Sequence, residues 1–538
     1  MKNEINSGYD LPRFEFRRPL ELDGNSPRHK VVIIGAGLTG LTLACDLANR
    51  GIVAVLVDDD DTVGVRGASS RGVVYSQKSL EIFDRLGIYD RIAKKGASWS
   101  IGKSLVGHDE IVYSFDAASQ TKSVQPPFIN IQQFYIEWYL VDRINELGYV
   151  DIRWKNTVLN VNAYDDYTSL EIGTPEGNYN LSADWVVDCS GIGSRTRNCL
   201  SVPLKTAKGS ERWCISDVRF TKKLPPERWT WIESPVNDER AVWQHPLADN
   251  VWRIDFQMAP DSDLEYVSRP DVCEERVRRL LGNDVEFQLV WVGPYSYQTL
   301  LLDSFRHKRV FFAGDSAHVF PPLGARGGNS GIQDADNLGW KLSLVTTGQI
   351  TENILDTYNS ERRPAAIFNT KLATRSVRFL SPTNEGQRSL RRAIIALAKK
   401  FNFAQSMMNT GRMSTPYRYD NSIICNDLGQ TVSNLLLKID SNLTVSVAHL
   451  MRRSHFLIIR LNPFKPIKKK SNLLFQIVDV LDEDGGVAKE LGIPPRSIVL
   501  IRPDMHICAI LNSIEDVEIK NAIDIATAQA LTHHHELK

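Results

Sequence analysis

Apolar runs alternate with glycine-rich breaks twice in this chain, once near the start and once after residue 310. Lys30-Val-Val-Ile-Ile34 is a continuous apolar run of the kind buried in a parallel sheet. It leads into Gly35-Ala-Gly37-Leu-Thr-Gly40, then into residues 41–50 with helical spacing, and Gly51 is placed to stop that helix. Residues 52–57 form the next strand, closed by Asp58. The second instance begins with residues 310–313, a short buried strand ending at Gly314-Asp315. A Pro- and Gly-rich loop, 321–331, precedes a helix over 332–345, where Ile332, Ala335, Leu338, Leu342 and Val345 share one face. Each loop delivers backbone N–H groups to a helix start, a ready site for an anionic or electron-rich ligand.

Between these units the period changes. Residues 101–180 and 200–300 are rich in β-branched and aromatic side chains, with alternation in 251–258 and 287–292, as in a half-buried antiparallel sheet. Asp184-Trp-Val-Val-Asp188 reads as a buried strand returning to the first unit, which is therefore discontinuous. Residues 355–410 are helical. Their basic side chains (Arg362, Arg363, Arg375, Arg378, Arg388, Arg391, Arg392, Lys399 and Lys400) read as a solvated surface. Another domain starts near residue 425, with strands at 456–460 and 497–501. Residues 465–470 read as an exposed basic loop and 533–535 as a histidine tail.

Composition narrows the choice of partner. Sixty-four basic and 64 acidic residues cancel over 538, which argues against nucleic acid. Seven cysteines without a C-x-x-C, and no Cys/His cluster at zinc spacing, point to reduced thiols, no metal and a cytoplasmic setting. The first ten residues lack an apolar core, so no signal peptide is expected, and no apolar run approaches the ~18 residues that span a bilayer.

The first loop matches G-x-G-x-x-G between a strand and a helix, and Asp58 stands 23 residues after Gly35. That context makes it a dinucleotide fingerprint, with Gly35, Gly37 and Gly40 toward a pyrophosphate and Asp58 toward a ribose hydroxyl. No G-x-S-x-G, H-E-x-x-H or P-loop is present.

These segments carry a resemblance. Gly35–Gly40, Arg71 with Ser79-Leu-Glu-Ile-Phe-Asp-Arg-Leu-Gly87, Pro127-Phe-Ile-Asn-Ile-Gln-Gln133, residues 188–197, Val251-Trp-Arg-Ile-Asp-Phe-Gln257 and residues 309–342 resemble the class A flavoprotein aromatic hydroxylases of the para-hydroxybenzoate hydroxylase type. Within them the chain is most similar to the 3-(3-hydroxyphenyl)propionate hydroxylase branch. The resemblance covers residues 28–420 well and thins toward Leu500-Ile-Arg-Pro-Asp-Met-His506.

It implies an α/β architecture: an FAD-binding Rossmann-like domain, an inserted mixed β-sheet substrate domain and a C-terminal thioredoxin-like domain. The expected boundaries are an N-terminal arm at 1–28, an FAD domain at 29–100, 181–200 and 301–385, and a substrate domain at 101–180 and 201–300. A helical linker at 386–424 and the last domain at 425–538 complete the chain. The implied activity is hydroxylation of a phenolic or polyketide-like substrate with NAD(P)H and O₂ through a C4a-hydroperoxyflavin. The cofactor performs the difficult step, so no nucleophile is needed. A small aromatic substrate and O₂ are the implied partners, and a homodimer is compatible with them. A halogenase, epoxidase or reductase, or a non-catalytic flavin-binding interaction protein, are the alternatives. Trp229-x-Trp231 faintly matches a halogenase motif that Glu233 breaks.

Carried over by the resemblance, Gly35, Gly37 and Gly40 receive the FAD pyrophosphate, Asp58 the adenosine ribose, and Arg71 the phosphates. Gln133, with Gln132 as an alternative, meets the flavin side chain. Gly314 and Asp315 hold the ribityl chain, Pro321 and Pro322 the ring edge, and Gly327, Gly328 and Asn329 the N1/C2=O end of the flavin. His318 reads as a packed histidine supporting the Gly-Asp turn. Gly191, Ser194 and Arg197 fit the family's middle motif, but Ser190 stands where that motif has an aspartate linked to FAD and pyridine nucleotide. For the substrate, polarity and position single out His245, Arg253, Gln257 and Tyr295.

Overall fold

The computed structural model describes residues 9–24, 26–64, 72–120, 122–282, 284–408, 415–426, 428–452, 456–464 and 474–529. Arg71, the basic run 465–470 and the histidines 533–535 lie outside them.

The first apolar run forms strand Arg28–Ile34 and the second Ala54–Val57, joined by helix Leu38–Asn49. Gly51 ends that connection at φ +72°. Five parallel strands lie in the order Val310–Phe312, Gly177–Asp188, Arg28–Ile34, Ala54–Val57, Val150–Arg153, and Arg306–His307 adds an antiparallel edge. Strand order reverses at Arg28–Ile34, so the crevice beyond its carboxyl end is where such sheets take ligands. The register pairs Ile34 with Asp188 and Asp188 with Phe312. The Gly35 loop, the Asp188 turn and the Gly314 turn therefore leave the sheet side by side.

The segment 150–180 departs from the expected partition. Val150–Arg153 pairs with Ala54–Val57, and the hairpins Thr157–Ala163 and Thr168–Thr174 extend Gly177–Asp188, so all belong to the first sheet. Alternation in a sequence marks a strand but not the sheet that receives it.

The second sheet holds Phe287–Leu302, Leu204–Phe220, Val251–Met258, Arg240–Pro246, Arg228–Ser234, Ile101–Val106 and Glu110–Asp116. Its other edge is His318–Val319, so the chain leaves the first sheet at Phe312 and enters the second within six residues. Helix Pro270–Leu281 packs one face through Cys273 and Val277 against Cys214, Ile254 and Phe256. The other face meets helix Glu385–Ala398 through Ile394 and Ile395.

The last domain has strands Phe475–Val480, Phe456–Leu461, Ile498–Ile501 and Ile507–Leu511 in that order, the first pair parallel and the others antiparallel. That is the strand order of a thioredoxin-like core. Among the described residues, no helix is long and apolar enough to cross a membrane, and no three His, Cys, Asp or Glu group to hold a metal.

Candidate functional site

The three glycines of the first loop differ in what surrounds them. Gly35 has φ +102°, and a Cβ there would lie 2.7 Å from the Cys189 carbonyl oxygen. A Cβ on Gly40 would lie 2.0 Å from the Gly35 oxygen. Packing alone dictates both. A Cβ on Gly37 would meet nothing within 4 Å, although Gly37 caps the N-terminus of helix Leu38–Asn49 without a side-chain bond. This is open space at a helix start, where the Leu38 amide also meets the Glu137 carboxylate.

Asp58 closes the unit. Its carboxylate accepts from the amides of Ala36 and Asp60, and burial pushes it up to about 6. Near it lies a group missed in the sequence, Glu137 of helix Gln133–Leu147. Glu137 accepts from the Gly64 amide at 2.7 Å and from Gln133 Nε2 at 2.8 Å, and burial raises it to about 7. Gln133 Oε1 accepts from the Gly72 amide at 3.0 Å. Gln133 and Glu137 thus grip both ends of the segment containing Arg71. Gln132 points elsewhere, donating to the Tyr9 hydroxyl at 2.8 Å and the Ala248 carbonyl at 3.4 Å. The N-terminal arm therefore packs beside this helix start, with Tyr9 against Phe134.

Thr39 joins the two glycine-rich segments. A Cβ on Gly314 would lie 2.5 Å from Thr39 Oγ1, and one on Gly331 2.3 Å from it. Gly314, at φ +63°, donates its amide to Asp334 Oδ2 at 3.0 Å. His318 Nε2 meets the same oxygen at 2.6 Å, and Arg362 Nε donates to Asp334 Oδ1 at 2.6 Å. Burial would raise Asp334, but His318 and Arg362 bring it down to about 2. His318 is fully buried and stacks on Phe320, which fits a supporting group rather than a free base.

Asp315 and Pro322 are half-buried beyond this turn, and Gly327 opens helix Gly327–Thr346 with nothing within 4 Å of a Cβ. Gly328 is exposed, and its Cβ would touch Leu38 at 3.1 Å. The Asn329 amide is saturated, accepting from Ser76 and Ser79 and donating to the carbonyls of Val74 and Ala325. Its side chain is a staple, which leaves the backbone of this helix start to meet a ligand.

At the middle motif, the buried Asp188 accepts from Ser190 N at 2.8 Å, Ser190 Oγ at 2.5 Å and the Ser194 hydroxyl. Burial raises this carboxyl, and the two serines oppose that. Gly191 turns at φ +82°. Arg197 then donates to the carbonyls of Ser316, at 2.7 Å, and Gly191, at 3.3 Å, tying this turn to the Gly314 turn.

The four substrate-side candidates fall on one face of the second sheet. His245 pairs with Arg253 across strands, and Trp213 with both Gln257 and Tyr295. Arg253 is held bidentately by Asp217 at 2.8 Å. Gln257 is used up by the Ala241 amide and the Ser381 hydroxyl, so it is a fastening. His245 is 5% exposed, with Nε2 3.5 Å from Asp255 and Nδ1 without a partner among the described residues. Burial pulls its pKa down, keeping it neutral. Tyr295 is half-buried at the edge of this face. Trp213 and Trp243 stack at 4.3 Å on it and share a cluster with Leu323 of the 321–331 loop.

Residues 28–373 match the family described as the FAD binding domain, well over half of the chain. The chain belongs to this FAD-binding family. It is 28% identical over 365 residues to the 3-(3-hydroxy-phenyl)propionate/3-hydroxycinnamic acid hydroxylase of Mycolicibacterium smegmatis, covering 68% of this chain and 64% of that protein. It is 28% identical to the rifampicin monooxygenase of Rhodococcus hoagii, over 89% of this chain and 94% of the relative. Among solved structures it is similar to the flavin-dependent monooxygenase PieE, with TM-score 0.77, 19% identity, and coverage of 93% and 99%.

The FAD-binding family needs room for a dinucleotide beside helix starts, and the glycines at two helix starts of this chain fit that need. Gly37 and Gly327 each sit at a helix start where a Cβ would fill open space, and Thr39 brings those two helices together. Sequence reasoning found both loops and missed the groups behind them. Arg362 and Arg391, read as solvated, are buried and paired with Asp334 and Glu233. A helical run of arginines gives no sign of which one meets a buried carboxylate.

Proposed function

We propose that this FAD-binding protein is a monooxygenase that hydroxylates an aromatic, phenolic or polyketide-like substrate with NAD(P)H and O₂. The observation that carries this reading is the cluster joining Leu323 of the glycine-rich loop to Trp213 and Trp243, on the sheet face that also presents His245. It sets an apolar wall and one neutral imidazole beside the loop assigned to the flavin. The hydroxylase and monooxygenase names of its relatives support the same class.

In this reading Gly37 leaves room for the pyrophosphate in a loop that Gly35 and Gly40 shape, Asp58 holds the ribose, Gln133 the flavin side chain, and Gly314 and Asp315 the ribityl chain. Pro322, Gly327, Gly328 and the backbone of Asn329 meet the ring, where the helix start favours negative charge. Gly191 lets the Asp188 turn approach. Bound FAD, once reduced, supplies activation of O₂ and delivery of an electrophilic oxygen. The tryptophan wall excludes water and orients the ring, as oxygen transfer requires. His245 Nδ1 accepts the phenolic proton, with Asp255 at Nε2 stabilising the charge that results. Arg253 and Asp217 keep that strand surface rigid. The reading also places the protein in the cytoplasm, where its seven free cysteines stay reduced.

The test is anaerobic bleaching of the flavin absorbance by NADPH and by NADH, with and without a panel of phenols, followed by O₂ uptake and product mass. Reduction accelerated by one phenol, with one oxygen atom gained by it, is expected. FAD uptake without reduction by either nucleotide would overturn the hydroxylase reading.

A further inference from the structure

The Arg502-Pro-Asp504 turn of the last domain is driven into the FAD-binding domain. Arg502 donates to both oxygens of Glu361, at 2.5 and 3.0 Å, and to Asp504 at 2.9 and 2.5 Å. Glu361 accepts in turn from Lys341 and Asn337, each at 2.7 Å. Asn337 also donates to the Tyr419 hydroxyl at 3.3 Å, which accepts again from Arg362 at 3.1 Å. Arg362 holds Asp334, and Asp334 holds the amide of Gly314. The ionic side chains on this path, Arg502, Glu361, Lys341, Arg362 and Asp334, are 0–1% exposed. An unbroken hydrogen-bonded path thus runs from the last domain to the Gly314–Asp315 turn.

Holding two domains together does not call for this. Apolar contact does so already, as where Phe456 packs edge-on against Trp340. Burying paired charges rarely gains stability over an apolar core, but it fixes one geometry, because each misplaced member is left unpaired. The geometry fixed here ends at a glycine in the left-handed region, one residue before Asp315.

We propose that the last domain is part of the flavin site, with Arg502 a positioning residue that sets the Gly314–Asp315 turn through Glu361, Asn337, Tyr419, Arg362 and Asp334. The proposal rests on the FAD reading above.

The experiment is titration of the flavin-stripped full-length chain with FAD, followed by flavin fluorescence, with thermal melts and visible spectra. Tyr419→Phe keeps the ring stacked on His506, 4.3 Å away, and removes only the bridging hydroxyl. Arg502→Met cuts the path at its origin. Arg452→Ala is the control, because it loosens the same domain at an exposed contact with Asp84, 3.0 Å, off the path. Tyr419→Phe is expected to weaken FAD binding about three- to tenfold and to shift the bound-flavin spectrum. Arg502→Met should do more, and Arg452→Ala neither. Wild-type affinity and spectrum in a folded Tyr419→Phe protein would overturn the proposal, as would an equal loss in Arg452→Ala. A wild-type chain that takes up no FAD would instead overturn the FAD reading.

Discussion

The hydroxyl of Ser190 is turned inward onto the carboxylate of Asp188, 2.5 Å away, and the Ser190 amide reaches the same oxygen at 2.8 Å. Ser190, standing where the resemblance places an aspartate, is thus a donor that favours the ionised form of a buried acid two residues earlier. Ser190→Asp sets a second carboxylate beside Asp188, and like charges at that distance cannot both ionise without cost. Its flavin reduction rate should change at least about tenfold with one nucleotide, with a melting temperature several degrees lower. Ser190→Ala should cost about 1–2 kcal/mol, as loss of a hydrogen bond to a charged acceptor does. Stopped-flow reduction kinetics equal to wild type in Ser190→Asp would show that this turn does not govern the nucleotide.

Two alanine substitutions three residues apart should behave oppositely. Gly40→Ala drives a Cβ into the Gly35 carbonyl and should destabilise the apoprotein by roughly 2–4 kcal/mol. Gly37→Ala meets open space, so the apoprotein should change by less than about 1 kcal/mol. FAD affinity in Gly37→Ala should nevertheless fall about tenfold or more, because the new methyl occupies the approach to the helix N-terminus. Urea unfolding of the apoproteins and FAD titration separate the two effects.

Asp58 and Glu137, raised by burial to about 6 and about 7, give the apoprotein a pH dependence of stability. An acid whose folded pKa is raised favours the fold while it is protonated, and that contribution is lost as pH climbs through the folded value. For Glu137 the window runs from its ordinary 4.5 to about 7. Apoprotein stability should therefore decline between about pH 4.5 and 7, by on the order of 3 kcal/mol from Glu137. Glu137→Gln should flatten that decline, read by unfolding at each pH. A steeper fall in the variant would place the cost elsewhere.

His245→Asn should lower kcat about a hundredfold while FAD affinity stays at the wild-type value. The acidic limb of the wild-type pH–rate profile should lie below the ordinary histidine range, because burial lowers this imidazole, and it should vanish in the variant. An unchanged profile would remove His245 from the proton path.

The two glycine-rich loops could be read from the sequence because each is local: strand, turn and helix follow one another within about twenty residues. Both appear within three residues of the expected ends, apart from the earlier start of helix Gly327–Thr346. What escaped was long-range. The strands at 150–180 carry the alternation of any half-buried sheet, and their place is decided by the open edge of Ala54–Val57 for the first and by pairing with Gly177–Asp188 for the others. Arg362 and Arg391 sit in helices that also carry the exposed Arg375, Arg378 and Arg392, so composition averaged them away. Glu137 lies on a helix separated from its Gly64 partner by more than seventy residues. The four substrate-side candidates were found by polarity. Their hydrogen bonds show two of them, Arg253 and Gln257, already engaged, which polarity could not disclose.

The interleaving of the two sheets has a consequence for synthesis of the chain. The parallel sheet draws strands from residues 28–57, 150–188 and 306–312, and the second sheet from 101–116, 204–258 and 287–302. The first is complete only when residue 312 has emerged from the ribosome and the second only with its edge His318–Val319, and a chain dominated by such distant pairings folds slowly. Even then Glu361, already met by Lys341 and Asn337, lacks Arg502 until the final domain arrives. A chain that stops before Arg502 leaves Glu361 without the one partner that reaches both of its oxygens among the described residues.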